Sequence, residues 1–296
     1  MLKKITTLSA ISLITATTSA SAADSWKNTV SISGLGGNYY QSYKRNTYDG
    51  VGIKFSGDYL DQGGLTIGVK NSTIEFNLGY DDIQQNSLLL SGRYNFFPDV
   101  INGKLTASTD IHYIDNDDVT GDSDDVYAIA PQITYLPYSA DYTLNLGVAY
   151  TKYQNELSVT QITPNVGFAF NGNKGWLNIG GYFISNDNAN RAQGVDSTEA
   201  VEFSVSHAIS KDIFLPINYV LGGLMLGERI YAVDNTSQSV YNVANVQKGS
   251  VSLGCSWDFG SNISLLTILG HEKFLDADIN DEYSSNYVYL NLSKKW

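Results

Sequence analysis

Apolar and polar residues alternate with a period of two along most of this chain, and that pattern restricts it to extended strands. In "VGIKFSGDYL", Val51, Ile53, Phe55 and Tyr59 fall on one side and Lys54, Ser56 and Asp58 on the other. In "YTLNLGVAYT", Tyr142, Leu144, Leu146, Val148 and Tyr150 oppose Thr143, Asn145, Gly147 and Ala149. "SVSLGCSWDF" repeats the arrangement, with Val251, Leu253, Cys255 and Trp257 against Ser250, Ser252, Ser256 and Asp258. Small, hydroxylated and charged side chains on the second face suit a hydrated interior better than a dry core, where they would lack partners. A sheet with lipid outside and water inside satisfies both faces, provided it closes so that no edge is left.

Turn signals give the strand number. Short breaks fall at 61–64, 98–103, 138–141, 171–175, 210–212 and 260–262, and they interleave with seven others at 44–48, 81–86, 115–125, 154–156, 186–197, 234–245 and 276–285. The reading is therefore all-β, a transmembrane antiparallel up-and-down β-barrel of about 14 strands over 23–296, with 12 or 16 as alternatives. The longer, more acidic breaks share one end, which is expected to face the medium. Alternation changes phase near residues 71 and 160, and a bulge is expected at each. A periplasmic β-sandwich also alternates. Against it stand aromatic residues near strand ends (Tyr59, Tyr94, Phe96, Tyr127, Tyr135, Tyr142, Tyr150, Trp257, Trp296), placed as in two interfacial girdles.

The first 22 residues carry Lys3 and Lys4, an apolar stretch around Ile11–Ala16 and the small-residue site Ala20-Ser21-Ala22, the three parts of a secretory signal. Beyond them no apolar run reaches the roughly 20 residues of a membrane helix. Loss of the two leader lysines leaves 16 of the 18 basic residues against 30 acidic ones, so nucleic acid is excluded as a partner. Cys255 is the single cysteine and can form no internal disulfide.

The chain ends in "YVYLNLSKKW", in which Val288, Leu290, Leu292 and Trp296 share one side of a strand. With the leader and the meander of alternating strands, this ending resembles a Gram-negative outer-membrane β-barrel, in length and strand count most like the small monomeric porins of the outer membrane protein G type. The resemblance implies a cell outer membrane location, contact with outer-membrane lipid and lipopolysaccharide, and a final strand read by the outer-membrane assembly machinery through its alternate apolar residues and terminal aromatic. Lys294 departs from that pattern, which usually has an apolar residue there.

Chemistry-bearing residues are few. His112 shares the inward side of its strand with Ser108 and Asp110, which permits a base oriented by a carboxylate, but spacing along one strand does not make a triad. His207 is expected to point outward near a turn, and His271 to be solvated at the outer end of a strand. No zinc-protease, serine-hydrolase or nucleotide motif is present, and no cofactor is implied. Asp115, Asp117, Asp118, Asp122, Asp124 and Asp125 crowd one loop whose order does not match an EF-hand, so no metal is assigned.

The lumen carries the functional expectation. Lys54, Lys70, Arg93 and Lys104 are read as inward on four successive strands, a basic wall that favours anions. Asp58, Glu75 and Asp110 are read as inward beside them, which would offset part of that charge. Most other inward positions are small, leaving an open lumen without a plug. The expected function is passive diffusion of small hydrophilic solutes or ions. The alternative is a structural or surface-interaction barrel acting, like an adhesin, through acidic loops.

Overall fold

The computed structural model describes residues 25–77, 79–118, 123–154, 156–209 and 217–296. The leader, Asp122 and the turn expected at 210–212 lie outside these. The strands are β1 (Trp26–Tyr40), β2 (Arg45–Tyr59), β3 (Gly63–Phe76), β4 (Ile83–Phe96), β5 (Gly103–Asn116), β6 (Val126–Pro137), β7 (Tyr142–Lys152), β8 (Ser158–Phe170), β9 (Gly175–Asn186), β10 (Ser197–Ala208), β11 (Ile217–Arg229), the short β12 (Val233–Asp234) and β13 (Ser239–Val240), then β14 (Val246–Asp258), β15 (Ile263–Asp276) and β16 (Asp281–Lys295). All but β12 and β13 join one closed antiparallel barrel of fourteen strands, each paired with its neighbours in the chain. β12 and β13 form a separate ribbon between β11 and β14.

Closure depends on the two ends of the chain. β1 pairs with β16 from Thr29 opposite Lys295 to Tyr40 opposite Ser284. Beyond that ladder, Trp296 N donates to Asn28 O at 3.0 Å and Asn28 N to Trp296 O at 2.9 Å. The terminal residue is thus paired within the sheet, so neither end leaves an unbonded edge.

The outer surface is the apolar face read from the sequence. Val51, Leu65, Val69, Leu144, Leu253 and Leu290 are all exposed on it. Tyr59, Tyr94, Phe96, Tyr142 and Trp296 project outward near the short-turn end, and Tyr127 and Tyr150 near the other. A band of this kind, rimmed by aromatics, matches the demands of a bilayer.

Two expectations fail together. No register shift interrupts β3 near residue 71 or β8 near residue 160. Irregularities lie instead between Arg45 and Thr47, Ile217 and Tyr219, Leu226 and Arg229, and Gln247 and Gly249. The apparent phase changes arise because inward positions in the loop-side half of the barrel are themselves apolar: Ile74 lies opposite Tyr48, and Val159 is buried at 1% exposure. Uninterrupted alternation also puts Glu75 opposite Thr47, on the face opposite to that of Lys70, where Thr47 Oγ1 donates to it at 2.8 Å. The inward placement read for Glu75 is therefore corrected.

Those inward apolar residues pack on chain folded into the barrel. Residues 230–245, which include the break at 234–245 expected to be an external loop, turn inward. Ile230, Tyr231, Ala232 and Val233 are buried against Val159, Tyr182, Ile184, Ala128 and Ala149 on the wall and against Tyr153 just past the end of β7. The loop between β9 and β10 contributes buried Ala192, and Tyr231 Oη donates to Arg191 O at 3.2 Å. The lumen read as open is filled by an apolar core at the long-loop end.

Candidate functional site

The inserted segment 230–245 and the wall it meets form the candidate site. Its root is fixed by Arg229 at the end of β11. The guanidinium lies 5.1 Å from the centre of the Tyr182 ring and 3.6 Å from Glu202 Oε2, while Tyr182 Oη donates to the same carboxylate at 3.0 Å. Arg229 Nε also donates to Gln247 Oε1, and Gln247 Nε2 donates to Glu272 at 2.9 Å. β9, β10, β11, β14 and β15 are thereby tied where the segment leaves and rejoins the wall.

Further along, Gln161 on β8 pairs with Val233 as a strand neighbour would. Its Nε2 donates to Val233 O at 2.7 Å, and Val233 N donates to its Oε1 at 3.0 Å, both bonds buried. The β12–β13 turn is closed by Asp234, whose Oδ1 accepts from Thr236 N and Ser237 N. Gly147 on β7 makes room for the turn, since a Cβ there would lie 3.1 Å from Asn235 Nδ2. Asn242 then reaches Gln85 Oε1 at 3.1 Å and Ser123 O at 2.7 Å.

The tip of the turn crosses to the basic wall. Gln238 Oε1 accepts from Lys54 Nζ at 3.1 Å, and its Nε2 donates to Ser91 Oγ at 3.1 Å and to Asp110 Oδ1 at 3.4 Å. One neutral side chain thus bridges an inward cation on β2 and an inward anion on β5.

The other predicted wall residues lie beside and below this bridge. Lys70 faces inward opposite Gly52 and Ser87 and is exposed to the lumen. Arg93 Nη2 and Asp58 Oδ1 form an ion pair at 2.6 Å, both side chains substantially exposed. Lys104 is half-buried on the inward side of β5 near its short-turn end. His112 is 5% exposed and Asp110 6%; among the described residues His112 Nε2 is buried with no hydrogen-bond partner, so neither Ser108 nor another hydroxyl of these residues reaches it there. His207 faces outward near a short turn, 3.0 Å from Asn171 Nδ2, and His271, beside Val251 on the outer face of β15 and not at its solvated end as expected, has Nδ1 2.7 Å from Asn286 Oδ1. Val288, Leu290, Leu292 and Trp296 all face outward from β16.

In the acidic loop, the carboxylates of Asp115, Asp124 and Asp125 converge within 4.8 Å. Asp124 Oδ1 accepts from Asn116 N and Asp125 N at 2.8 Å, and Asp125 accepts from Tyr113 Oη and Gln154 Nε2. These bonds brace the β5–β6 connection.

Sequence reasoning missed Gln161, Gln238, Arg229 and the segment they hold. Gln161 sits at the phase change near residue 160, where a long polar side chain follows apolar Val159 on the inward face. That combination was the one local trace of an internal partner.

The sequence matches no protein-family model and no curated protein. In fold it is similar to a bacterial polysaccharide outer membrane secretin, at 10% identity and a TM-score of 0.57, over 91% of this chain and 98% of that one. It is also similar to the Pseudomonas putida toluene transporter TodX, at 8% identity and a TM-score of 0.52, over 91% of this chain and 89% of that one. The strand order, the lipid-suited outer face and these likenesses together establish that the chain has the fold of the outer-membrane β-barrels.

Proposed function

We propose that the protein is a porin-like channel of the outer membrane for small hydrophilic solutes or ions, and that residues 230–245 constrict it. The observation that carries this reading is the pairing of a water-reachable charged wall with a plug that reaches it through Gln238. Lys70, Arg93 and Asp58 are solvated inside a closed barrel, which serves no purpose in a solid structural anchor. The tip of the plug contacts that wall through hydrogen bonds of one uncharged residue to Lys54, Ser91 and Asp110, worth about 1–3 kcal/mol each when water replaces them. Opening therefore requires displacement of the segment, while the fourteen-strand ladder persists.

On this reading the outer face contacts lipid and lipopolysaccharide, and β16 supplies the assembly signal. A surface-interaction barrel is the weaker alternative, because the segment between β11 and β14, the longest connection of the long-loop end, is folded inside and offers no outer binding surface.

Planar-bilayer recording tests the proposal. The mature chain should give discrete conductance steps, and replacement of 235–242 by a short Gly-Ser linker should enlarge them severalfold. Silence from both proteins, each shown to be folded by its slower gel migration after boiling, would remove the channel reading.

A further inference from the structure

Outward residues of β1 to β5 fall into rows across the sheet, and one row near the short-turn end is mostly small. Asn28, Gly57, Leu65, Gly92 and Thr109 lie opposite one another in turn. The row on its long-loop side is bulky, with Phe55, Ile67, Leu90 and Ile111. The row on its short-turn side is aromatic, with the Trp26 ring 5.2 Å from that of Tyr59. The small row is the floor of a furrow of about 580 Å³ on the outer face. Thr109 Oγ1 is buried with no hydrogen-bond partner among the described residues, so the size of this side chain and not its hydroxyl suits the place. Nor does packing demand Gly92: a Cβ there would meet Leu65 Cδ2 at an ordinary 3.6 Å. The furrow is room that larger side chains could have filled.

Hydrogen-bond donors stand at its β1 end. Lys294 lies opposite Val30, on the outward side of β16 with Leu292 and Trp296, and is exposed without an ion pair among the described residues. Val30 in turn lies opposite Phe55, which puts Lys294 two strand spacings, about 10 Å, from the wall of the furrow. Trp296 pairs with Asn28 and brings its ring to 6.3 Å from that of Phe55. No acidic residue occupies the Lys294 row or the Asn28 row from β16 to β5. A lysine so placed lays its stem on apolar surface and holds its ammonium at the interface.

We infer that the furrow receives one acyl chain of an anionic phospholipid of the periplasmic leaflet, whose phosphate pairs with Lys294. Short turns face the periplasm, which sets the leaflet. The unpaired cation sets the sign of the head group. From β1 to β5 the floor spans four strand spacings, about 19 Å, and one leaflet of the hydrocarbon core is about 15 Å deep, so a whole chain can lie obliquely along it. Lys294, which breaks the apolar pattern of the last strand, thereby gains a role. This goes beyond the channel reading and does not depend on it, because lipid binding on the outer face needs no conduction.

Native mass spectrometry of the folded mature protein in detergent, with phosphatidylglycerol and phosphatidylcholine of identical chains, tests the assignment. One phosphatidylglycerol should be retained per barrel, at a concentration about fivefold lower than phosphatidylcholine requires, the effect of one lysine near an anionic lipid. Gly92→Leu, which fills the floor, should remove the retained lipid whatever its head group. Lys294→Gln should keep a lipid and lose the preference, while Lys273→Gln, exposed on β15 toward the long-loop end, should change neither. The inference is overturned if no lipid is retained, if the parent holds both lipids equally, if Gly92→Leu binds as the parent does, or if Lys273→Gln abolishes the preference as fully as Lys294→Gln. Should Gly92→Leu give no heat-shifted protein, an unchanged preference in Lys294→Gln overturns it equally.

Discussion

Gln161 holds Val233 by both of its main-chain polar groups, at 2.7 and 3.0 Å, inside the barrel. The side-chain amide takes the place of a neighbouring strand, which lets an irregular segment lie against the wall without orphaned peptide groups. Gln161→Leu keeps the bulk and removes both partners. Each buried group left unpaired costs about 1–3 kcal/mol, so the inserted state should lose about 2–6 kcal/mol. Since the barrel ladder does not include Val233, the expected result is release of the plug rather than unfolding. Conductance should rise and thermolysin should cut within 230–245, while heat-shifted gel mobility stays as in the parent. A protected segment in Gln161→Leu would show that the apolar contacts alone retain it.

Trp296 exchanges two backbone hydrogen bonds with Asn28, and its ring lies 6.3 Å from that of Phe55 on the outer face. Removing it leaves Asn28 N–H and C=O without their partners at the seam where β1 closes on β16. Membrane insertion measured by the fraction of heat-shifted protein should fall severalfold. Deletion of Val100, fully outside the ladder in a short turn, should have little effect. Equal effects would separate the terminus from assembly.

The strand number was legible because every strand obeys the same two-sided solvent rule on its outer face, from Val51 on β2 to Leu292 on β16. The plug was not, because its sequence reads locally as a loop. Asp234, Asn235, Thr236 and Ser237 are turn formers, and the apolar residues on either side, Tyr231, Val233, Val240 and Tyr241, show no long periodicity. Their burial is set by distant wall positions such as Val159 and Tyr182, whose apolar character on the inward face looked like a slip in register. Glu75 was misplaced for the same reason: a bulge inferred from Ile74 reversed the parity of everything after it.

Tyr153 and Tyr231 meet at 4.6 Å between ring centres, at 2% and 1% exposure, the bulkiest contact of the apolar core. The Tyr153 hydroxyl is buried without a hydrogen-bond partner among the described residues. Tyr153→Ala should therefore cost about 3–5 kcal/mol of plug stability through the cavity it leaves. Tyr153→Phe removes only the unsatisfied group and should be neutral or stabilising by up to about 1 kcal/mol. Denaturant-dependent protease protection of 230–245 distinguishes the two, and a large loss in Tyr153→Phe would mean that the hydroxyl has an ordered partner.

The outward placement of Glu75 changes the charge balance of the wall. On β2 to β5, Lys54, Lys70, Arg93 and Lys104 now face Asp58 and Asp110 alone among the residues read as inward, so the cations are in excess. Arg93 is neutralised by Asp58, but Lys70 is solvated and makes no ion pair among the described residues. Changing all four to Glu alters each position by two charges and the wall by eight, in a confined space where screening is weak. Reversal potentials across a salt gradient should shift strongly toward cation selectivity, measured most cleanly in the channel lacking 235–242. The shift should shrink in molar salt, as the Debye length falls to about 3 Å. Lys174→Glu, in an exposed short turn outside the barrel wall, should move the potential far less. If it moved the potential as much, or if the wall variant kept the parent selectivity, ions would not pass along these strands.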